Sequence, residues 1–264
     1  MPISNSYVIS LDAESERMRG FNDNFKDLNV THYQAIRTSS LTEEQEELKR
    51  RYIRQGSEMS RGEIGCFLSH ISLWKKLLDS NEQSMMIFED DARSLHSVDV
   101  LNDYVDSVTE SYDILYLGKC LCDCLSLRRI TDSLYEVKHI LCTHAYIITR
   151  SGAQKMLSSS ATCSAVDQWI NKVKKKIPDL KLVAFHPSLI YQDVINTESS
   201  LRNRSVLFNT CECRPPVVEL IGEAQSYPFG ILLIMLFITI IVIALFWAIS
   251  TFLNNPGKGI PYIH

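Results

Sequence analysis

Three consecutive acids, Glu89-Asp90-Asp91, follow directly on an apolar run, Met85-Met86-Ile87-Phe88. Such a short apolar run reads as a buried strand, so the acids fall at its carboxyl end. In open α/β sheets, ligands bind beyond the carboxyl ends of strands. Carboxylate oxygens placed there can hold a hard divalent cation, Mg2+ or Mn2+, and leave coordination positions for phosphate. In an enzyme acting on a sugar nucleotide, that ion would serve as a Lewis acid and neutralise the diphosphate leaving group. The competing reading is a solvated acidic turn.

Other side chains could join such chemistry, and each has a plainer explanation. Arg17 carries a guanidinium that matches phosphate oxygens, but a surface arginine needs no such role. His70 could hold an acceptor or pack beneath the acidic strand. Asp167, in Val166-Asp167-Gln168-Trp169, could serve as a base or only as a helix N-cap. His186 precedes Pro187. Cys120, Cys122 and Cys124 alternate, and Cys211 and Cys213 repeat the spacing. One intervening residue is too short for the usual zinc geometry, which leaves packing thiols or an oxidised pair.

The elements that must position these groups alternate in type. Ser6–Leu11 and Thr31–Ile36 read as strands, with a helix opening near Arg17 and Arg19. Thr42–Arg54 is a charged helix whose acids precede its bases, as the helix dipole favours. The clearest helix begins at Ser60, where Ser60 and Glu63 fit a capping box. Ile64, Phe67, Leu68, Ile71, Trp74 and Leu78 then recur at helical spacing and form a core face. Gly62 and Gly65 suit close packing or substrate approach. Tyr112–Leu117, Ala145–Thr149 and Lys181–Phe185 read as strands, and 152–157 and 166–173 as helices. Lys172, Lys174, Lys175 and Lys176 make a solvated helix face. The alternation predicts an α/β sheet, parallel in the main, with flanking helices.

Composition sets the limits. The 264 residues are 45% hydrophobic with a net charge of -4, which supports a sizeable core and argues against a nucleic-acid partner. From Phe229 to Leu253 the chain is almost wholly apolar and uncharged, long enough to cross a bilayer. Met1–Leu11 lacks the features of a signal peptide. The expected organisation is a domain over 1–212, a linker over 213–228, a transmembrane helix over 229–253 and a short tail over 254–264. That order predicts a single-pass, tail-anchored membrane protein with its large domain in the cytosol. Two glycosylation triplets, Asn29-Val30-Thr31 and Asn203-Arg204-Ser205, would matter only in a lumenal domain.

The stretch Ser60-Arg61-Gly62-Glu63-Ile64-Gly65-Cys66-Phe67-Leu68-Ser69-His70, then Leu73-Trp74-Lys75, then Ile87-Phe88-Glu89-Asp90-Asp91-Ala92, resembles glycosyltransferase family 25. This family includes lipopolysaccharide and collagen galactosyltransferases. Tyr7–Leu11 with Arg17, Ala145–Thr149 with Gly152-Ala153 and Leu157, Asp167, and His186-Pro187 agree in order. The likeness covers about residues 4–205. It implies a GT-A-like nucleotide-sugar fold, a UDP-sugar donor, Mn2+ or Mg2+ as cofactor, and inverting transfer of a hexose such as galactose. The acceptor it implies is a glycan, lipopolysaccharide or collagen-like hydroxyl. It also implies roles: Asp91 and Glu89 at the metal, with His186 completing its shell; Glu89, Asp90 and Arg17 at the donor; Asp167 and His70 at the chemistry. The chain departs from many members in reading Ala35-Ile36-Arg37-Thr38, without an acid at the end of the second strand. A different class also fits the sequence, an inactive membrane-tethered binding protein on the same scaffold.

Overall fold

The computed structural model describes residues 5–120 and 127–193. The expected membrane span, Cys122, Cys124, Cys211, Cys213 and the Asn203 triplet lie outside the described residues. Among the described residues, no helix is long and apolar enough to cross a membrane.

The fold is mixed α/β. In chain order it runs β1 (Ser6–Ser10), α1 (Glu16–Asn24), β2 (Thr31–Gln34), α2 (Glu43–Tyr52), α3 (Arg61–Asp79), β3 (Ser84–Glu89), β4 (Ala92–Ser94) and α4 (Val98–Asp106). It continues with β5 (Ile114–Tyr116), β6 (Arg128–Arg129), β7 (Leu134–Glu136), β8 (Ala145–Thr149), α5 (Arg150–Leu157), α6 (Val166–Lys176), β9 (Leu182–Phe185) and β10 (Ile190–Gln192). Eight strands form one sheet in the order β2-β1-β3-β8-β5-β9-β7-β6, and β10 pairs with β4 in a second.

The sheet corrects the expectation of a mainly parallel arrangement. β1 runs parallel to β2 and β3, and β5 to β9. β8 lies between β3 and β5 and is antiparallel to both, and β7 and β6 extend the edge antiparallel. Helix–strand alternation reports crossovers, which force parallel pairing, only where a helix joins two neighbouring strands. β8 is entered from an irregular segment and no such constraint applies.

Strand residues alternate between two cores, as a period of two requires. Ile87, Tyr146, Ile148, Ile114 and Tyr116 pack with α2, α3, α5 and α6. Val8, Met86, Phe88, Ile147 and Leu115 pack with α1 and α4. Helix α3 carries both halves of its capping box, Ser60 Oγ accepting from Glu63 N–H and Glu63 Oε2 from Ser60 N–H. Its N-terminal half sits hard against the segment after β2, where a Cβ on Gly65 would collide with the Ile36 carbonyl. Ser69 finishes that seam, accepting from Ile36 N–H at 2.9 Å and donating to the Gly65 carbonyl. Helix α1 is fixed by aromatic packing: Phe21 and Phe25 lie 5.4 and 5.1 Å from the Phe88 ring. Burying Phe21 and Phe88 contributes about 2–3 kcal/mol each, and it sets the first turn of α1 beside the end of β3.

Candidate active site

The acids turn the chain from β3 into β4 at the carboxyl edge of β1 and β3. Glu89 closes β3, its N–H bonded to the His144 carbonyl. Asp90 accepts from Ser10 Oγ, at the end of β1, at 2.7 Å. Asp91 lies beside β10, because Ala92 pairs with Gln192, and Gln192 Nε2 donates to Asp91 Oδ2 at 3.0 Å. Arg17, from the first turn of α1, places Nη2 2.5 Å from Asp90 Oδ1 and 2.8 Å from Asp91 Oδ2. Asp91 Oδ1 is buried and, among the described residues, has no hydrogen-bond partner.

Two acids in this cluster are driven in opposite directions. Burial alone would raise Glu89, but His70, then Thr143 and His144, outweigh it and hold its carboxyl down at about 2. Thr143 Oγ1 donates to Glu89 Oε1 at 2.8 Å, and His70 Nε2 lies 3.4 Å from the same oxygen. Asp91 is pushed up to about 7 by burial and by the charge of Glu89, against the opposing pull of Arg17 and Gln192.

His70 is fully buried beneath the acidic strand. That geometry favours packing over direct contact with an acceptor, and the ring reaches the site through Glu89. A polar chain orients it. Trp74 Nε1–H donates to the Tyr146 hydroxyl at 2.8 Å, and that hydroxyl lies 2.8 Å from His70 Nδ1. With the tyrosine hydroxyl on Nδ1, it is Nε2 that faces Glu89. Burial raises the Tyr146 pKa well above its usual value, so the hydroxyl keeps its proton. Cys66 stands with His70 and Glu89, their ligand atoms within 4.8 Å of one another, and burial, then the charge of Glu89, pushes its thiol well up.

Asp167 is not the helix cap. Ala165 is, without a side-chain bond, and Asp167 sits in the first turn of α6. Its Oδ2 accepts from Cys142 N–H at 3.2 Å and Oδ1 from Gln168 N–H at 2.6 Å. Burial raises its pKa, the two N–H groups oppose that, and the charges of Glu89 and His70 also bear on it. Cys142, at a φ of 72°, is bonded to Cys120 in a disulfide. The alternating cysteines are therefore not a local unit: Cys120 pairs across 22 residues. Asn171 holds the same segment to α6, bonding both the N–H and the carbonyl of Ile140.

His186 is the exception among the expected residues. It follows β9, three strand spacings, or about 14 Å, along the sheet from β3. Its ring packs edge-on against Tyr135 of β7, on the side of β9 away from the acids. The structure thus brings together Arg17, Glu89, Asp90, Asp91 and His70, keeps Asp167 within electrostatic reach of Glu89 and His70, and sets His186 apart. Ser10, Thr143, Tyr146 and Gln192 complete the cluster without having been legible as site residues. Ser10, at the end of β1, carried the one usable signal, since neighbouring parallel strands end together.

Asp91 Oδ1, without a partner among the described residues, offers the hard oxygen a divalent cation prefers, but Glu89, Asp90 and Asp91 do not gather three ligand atoms within 4.8 Å of one another.

Residues 3–170 match the family model described as glycosyltransferase family 25 (LPS biosynthesis protein). Procollagen galactosyltransferase 2 of Homo sapiens is 29% identical over 153 residues, covering 50% of this chain and 24% of that protein. A putative glycosyltransferase of Haemophilus influenzae is 28% identical over 201 residues, covering 72% of this chain and 71% of that one. A probable inactive glycosyltransferase 25 family member 3 of Bos taurus is 28% identical over 115 residues, covering 39% and 18%. The chain spans about a quarter of the length of the procollagen galactosyltransferase it matches.

Proposed function

Because the chain belongs to glycosyltransferase family 25, we propose that it transfers a hexose, galactose in the first instance, from a UDP-sugar to a hydroxyl of a glycan, a lipopolysaccharide or a collagen-like protein. The observation that carries this reading is the convergence of Arg17, Glu89, Asp90 and Asp91 on one strand edge. Asp91 and Glu89 would hold Mn2+ or Mg2+, and Asp90 would support them through Ser10 and Arg17. The ion, when bound, would offset charge on the departing diphosphate. Arg17 adds a fixed positive charge on the same side. On a GT-A-like fold, inverting transfer needs a base for the acceptor hydroxyl. Asp167 suits it, because burial raises its pKa while two N–H groups fix its orientation. His70 acts as a positioning residue behind Glu89.

The test uses the full chain with a panel of UDP-sugars, with and without Mn2+, beside Asp91→Ala. Metal-dependent turnover of one donor, lost in Asp91→Ala, supports the reading and names the sugar. An inactive binding scaffold is the second reading, favoured by the inactive relative in Bos taurus. No turnover, with no UDP binding by calorimetry in Mn2+, would establish it.

The apolar run 229–253 is proposed as a membrane anchor. The Cys120–Cys142 disulfide favours an oxidising compartment for the domain, in place of the cytosolic side expected from the order of segments. Asn29, in its glycosylation triplet, is exposed, as a lumenal acceptor must be. Protease protection in intact microsomes, with a glycosidase-sensitive mass shift lost in Asn29→Gln, is the expected outcome. Full digestion of the domain would return it to the cytosol.

A further inference from the structure

We propose that Arg17 is a resident counter-cation of the Asp90–Asp91 pair, that a divalent cation must displace it, and that the freed guanidinium then takes the donor's diphosphate. This rests on the reading of the acid edge as the metal and donor site. A single nitrogen, Arg17 Nη2, bridges the two carboxylates at 2.5 and 2.8 Å, so the arginine holds the oxygens a cation would need. A guanidinium keeps its charge at every working pH and can release the acids only by moving.

The structure confines that movement to the side chain. Ser15 caps α1, accepting from Met18 N–H, and Arg93 Nη2 donates to the Arg17 carbonyl at 3.3 Å. Phe21, one turn on, is locked in the core. The Arg17 side chain is 23% exposed, so it is the part of the residue that reaches solvent. Asp91, by contrast, is buried, with Oδ1 lacking a partner among the described residues, so a cation can begin to bind there before the arginine leaves.

A dication and a guanidinium on the same carboxylates repel, whereas a diphosphate attracts both. Cation alone therefore binds against Arg17, and cation with diphosphate binds with its help. Such linkage is reciprocal: the nucleotide tightens the metal by the factor by which the metal tightens the nucleotide.

The experiment is Mn2+ binding to the full chain by electron paramagnetic resonance, with and without UDP, at about pH 8, where free carboxylates are ionised. Arg17→Gln is expected to bind Mn2+ alone about tenfold more tightly than the wild type, within the usual range of such couplings. UDP should then tighten Mn2+ less than it does in the wild type. Arg17→Lys, which keeps a charge but not the fork, should fall between. Arg19→Gln, on the same helix but bonded to the Glu14 carbonyl, should leave Mn2+ binding unchanged. Unchanged or weaker Mn2+ binding in Arg17→Gln, with binding still abolished in Asp91→Ala, overturns the displacement and spares the metal reading. Mn2+ binding to none of the proteins, even with UDP, overturns both. If circular dichroism shows Arg17→Gln unfolded, Arg17→Lys decides: tighter Mn2+ supports the proposal and equal binding overturns it.

Discussion

Two halves of one acidic cluster are built in opposite ways. On the inner side, Glu89 is held by groups that are themselves held, from Trp74 through Tyr146 to His70, with Thr143 closing the other flank. On the outer side, Asp91 is held by the charge of Arg17 and the amide of Gln192, and one of its oxygens lacks a partner among the described residues. The inner half is the more densely bonded and fixes geometry, though His70 Nε2 there also lacks a hydrogen-bond partner among the described residues. The outer half is left incomplete, and an incomplete buried acid is where a ligand gains most by binding. Stability should therefore reside in the first half and function in the second.

The most severe way to break this contrast is Asp91→Ala. Loss of a metal-held charge stabilisation of several kcal/mol should lower turnover about a thousandfold. Its effect on stability has the other sign. A carboxyl raised from its ordinary value to about 7 holds its proton more tightly folded than unfolded. Its contribution to stability is therefore lost as pH rises from the unfolded value to about 7. At neutral pH the variant should melt no lower than the wild type. A large fall in melting temperature would mean that Asp91 holds the fold together after all.

Tyr146→Phe tests the inner half. It strands the Trp74 N–H and His70 Nδ1 in a buried region at a cost of about 2–3 kcal/mol. In a domain of this size that lowers the melting temperature by about 5–10 °C. Turnover should fall only through Glu89. The pH profile is the distinguishing readout, because a weaker hold on His70 lets the Glu89 pKa rise from about 2. Unchanged stability would show that the chain from Trp74 to Glu89 is incidental.

The contrast also explains which parts of the molecule could be read in the sequence. Helix α3 was legible to its cap because Ser60, Glu63 and the Ile64–Phe67–Leu68–Ile71 spacing are local signals. The acid edge was legible because a charge cluster after an apolar run breaks the pattern within a few residues. Helix α4 went unread although Ser97 caps it, since only Val98 and Leu101 are buried and its amphipathic stripe is short. Strands β4, β6, β7 and β10 have two or three residues each, too few to show a period. The side chains completing the cluster come from far along the chain: Thr143 lies 54 residues from Glu89, and Gln192 lies 101 from Asp91. Their register depends on β8 and β10, and nothing local to Thr143 or Gln192 announces it. The resemblance sets His186 in the metal shell, whereas sheet order puts three strand spacings between it and the acids.

A milder probe leaves the residues intact and varies the proton. With Asp91 at about 7, protons and metal compete for its oxygens. Mn2+ affinity, measured without nucleotide, should rise about tenfold per pH unit below 7 and level off above it. Glu89 stays ionised throughout that window. A curve already flat at pH 5 would mean that Asp91 is ionised there and that the two acids are not driven apart.

The smallest effect expected is that of Gln192→Ala. Gln192 Nε2 stabilises the ionised form of Asp91, and its amide oxygen faces the sulfurs of Cys120 and Cys142 at 3.5 and 3.8 Å. Removing one partly exposed, charge-assisted hydrogen bond costs about 1 kcal/mol. The Asp91 pKa should move further up, so the pH at which Mn2+ binding levels off should rise by roughly 0.7 unit. Turnover at high pH should be nearly unchanged. This separates two roles that the geometry gives Gln192 together, tuning an acid and seating β10 beside the disulfide. A loss of turnover that high pH does not restore would assign it to the second, by showing that Asp91 has moved and not merely been reprotonated.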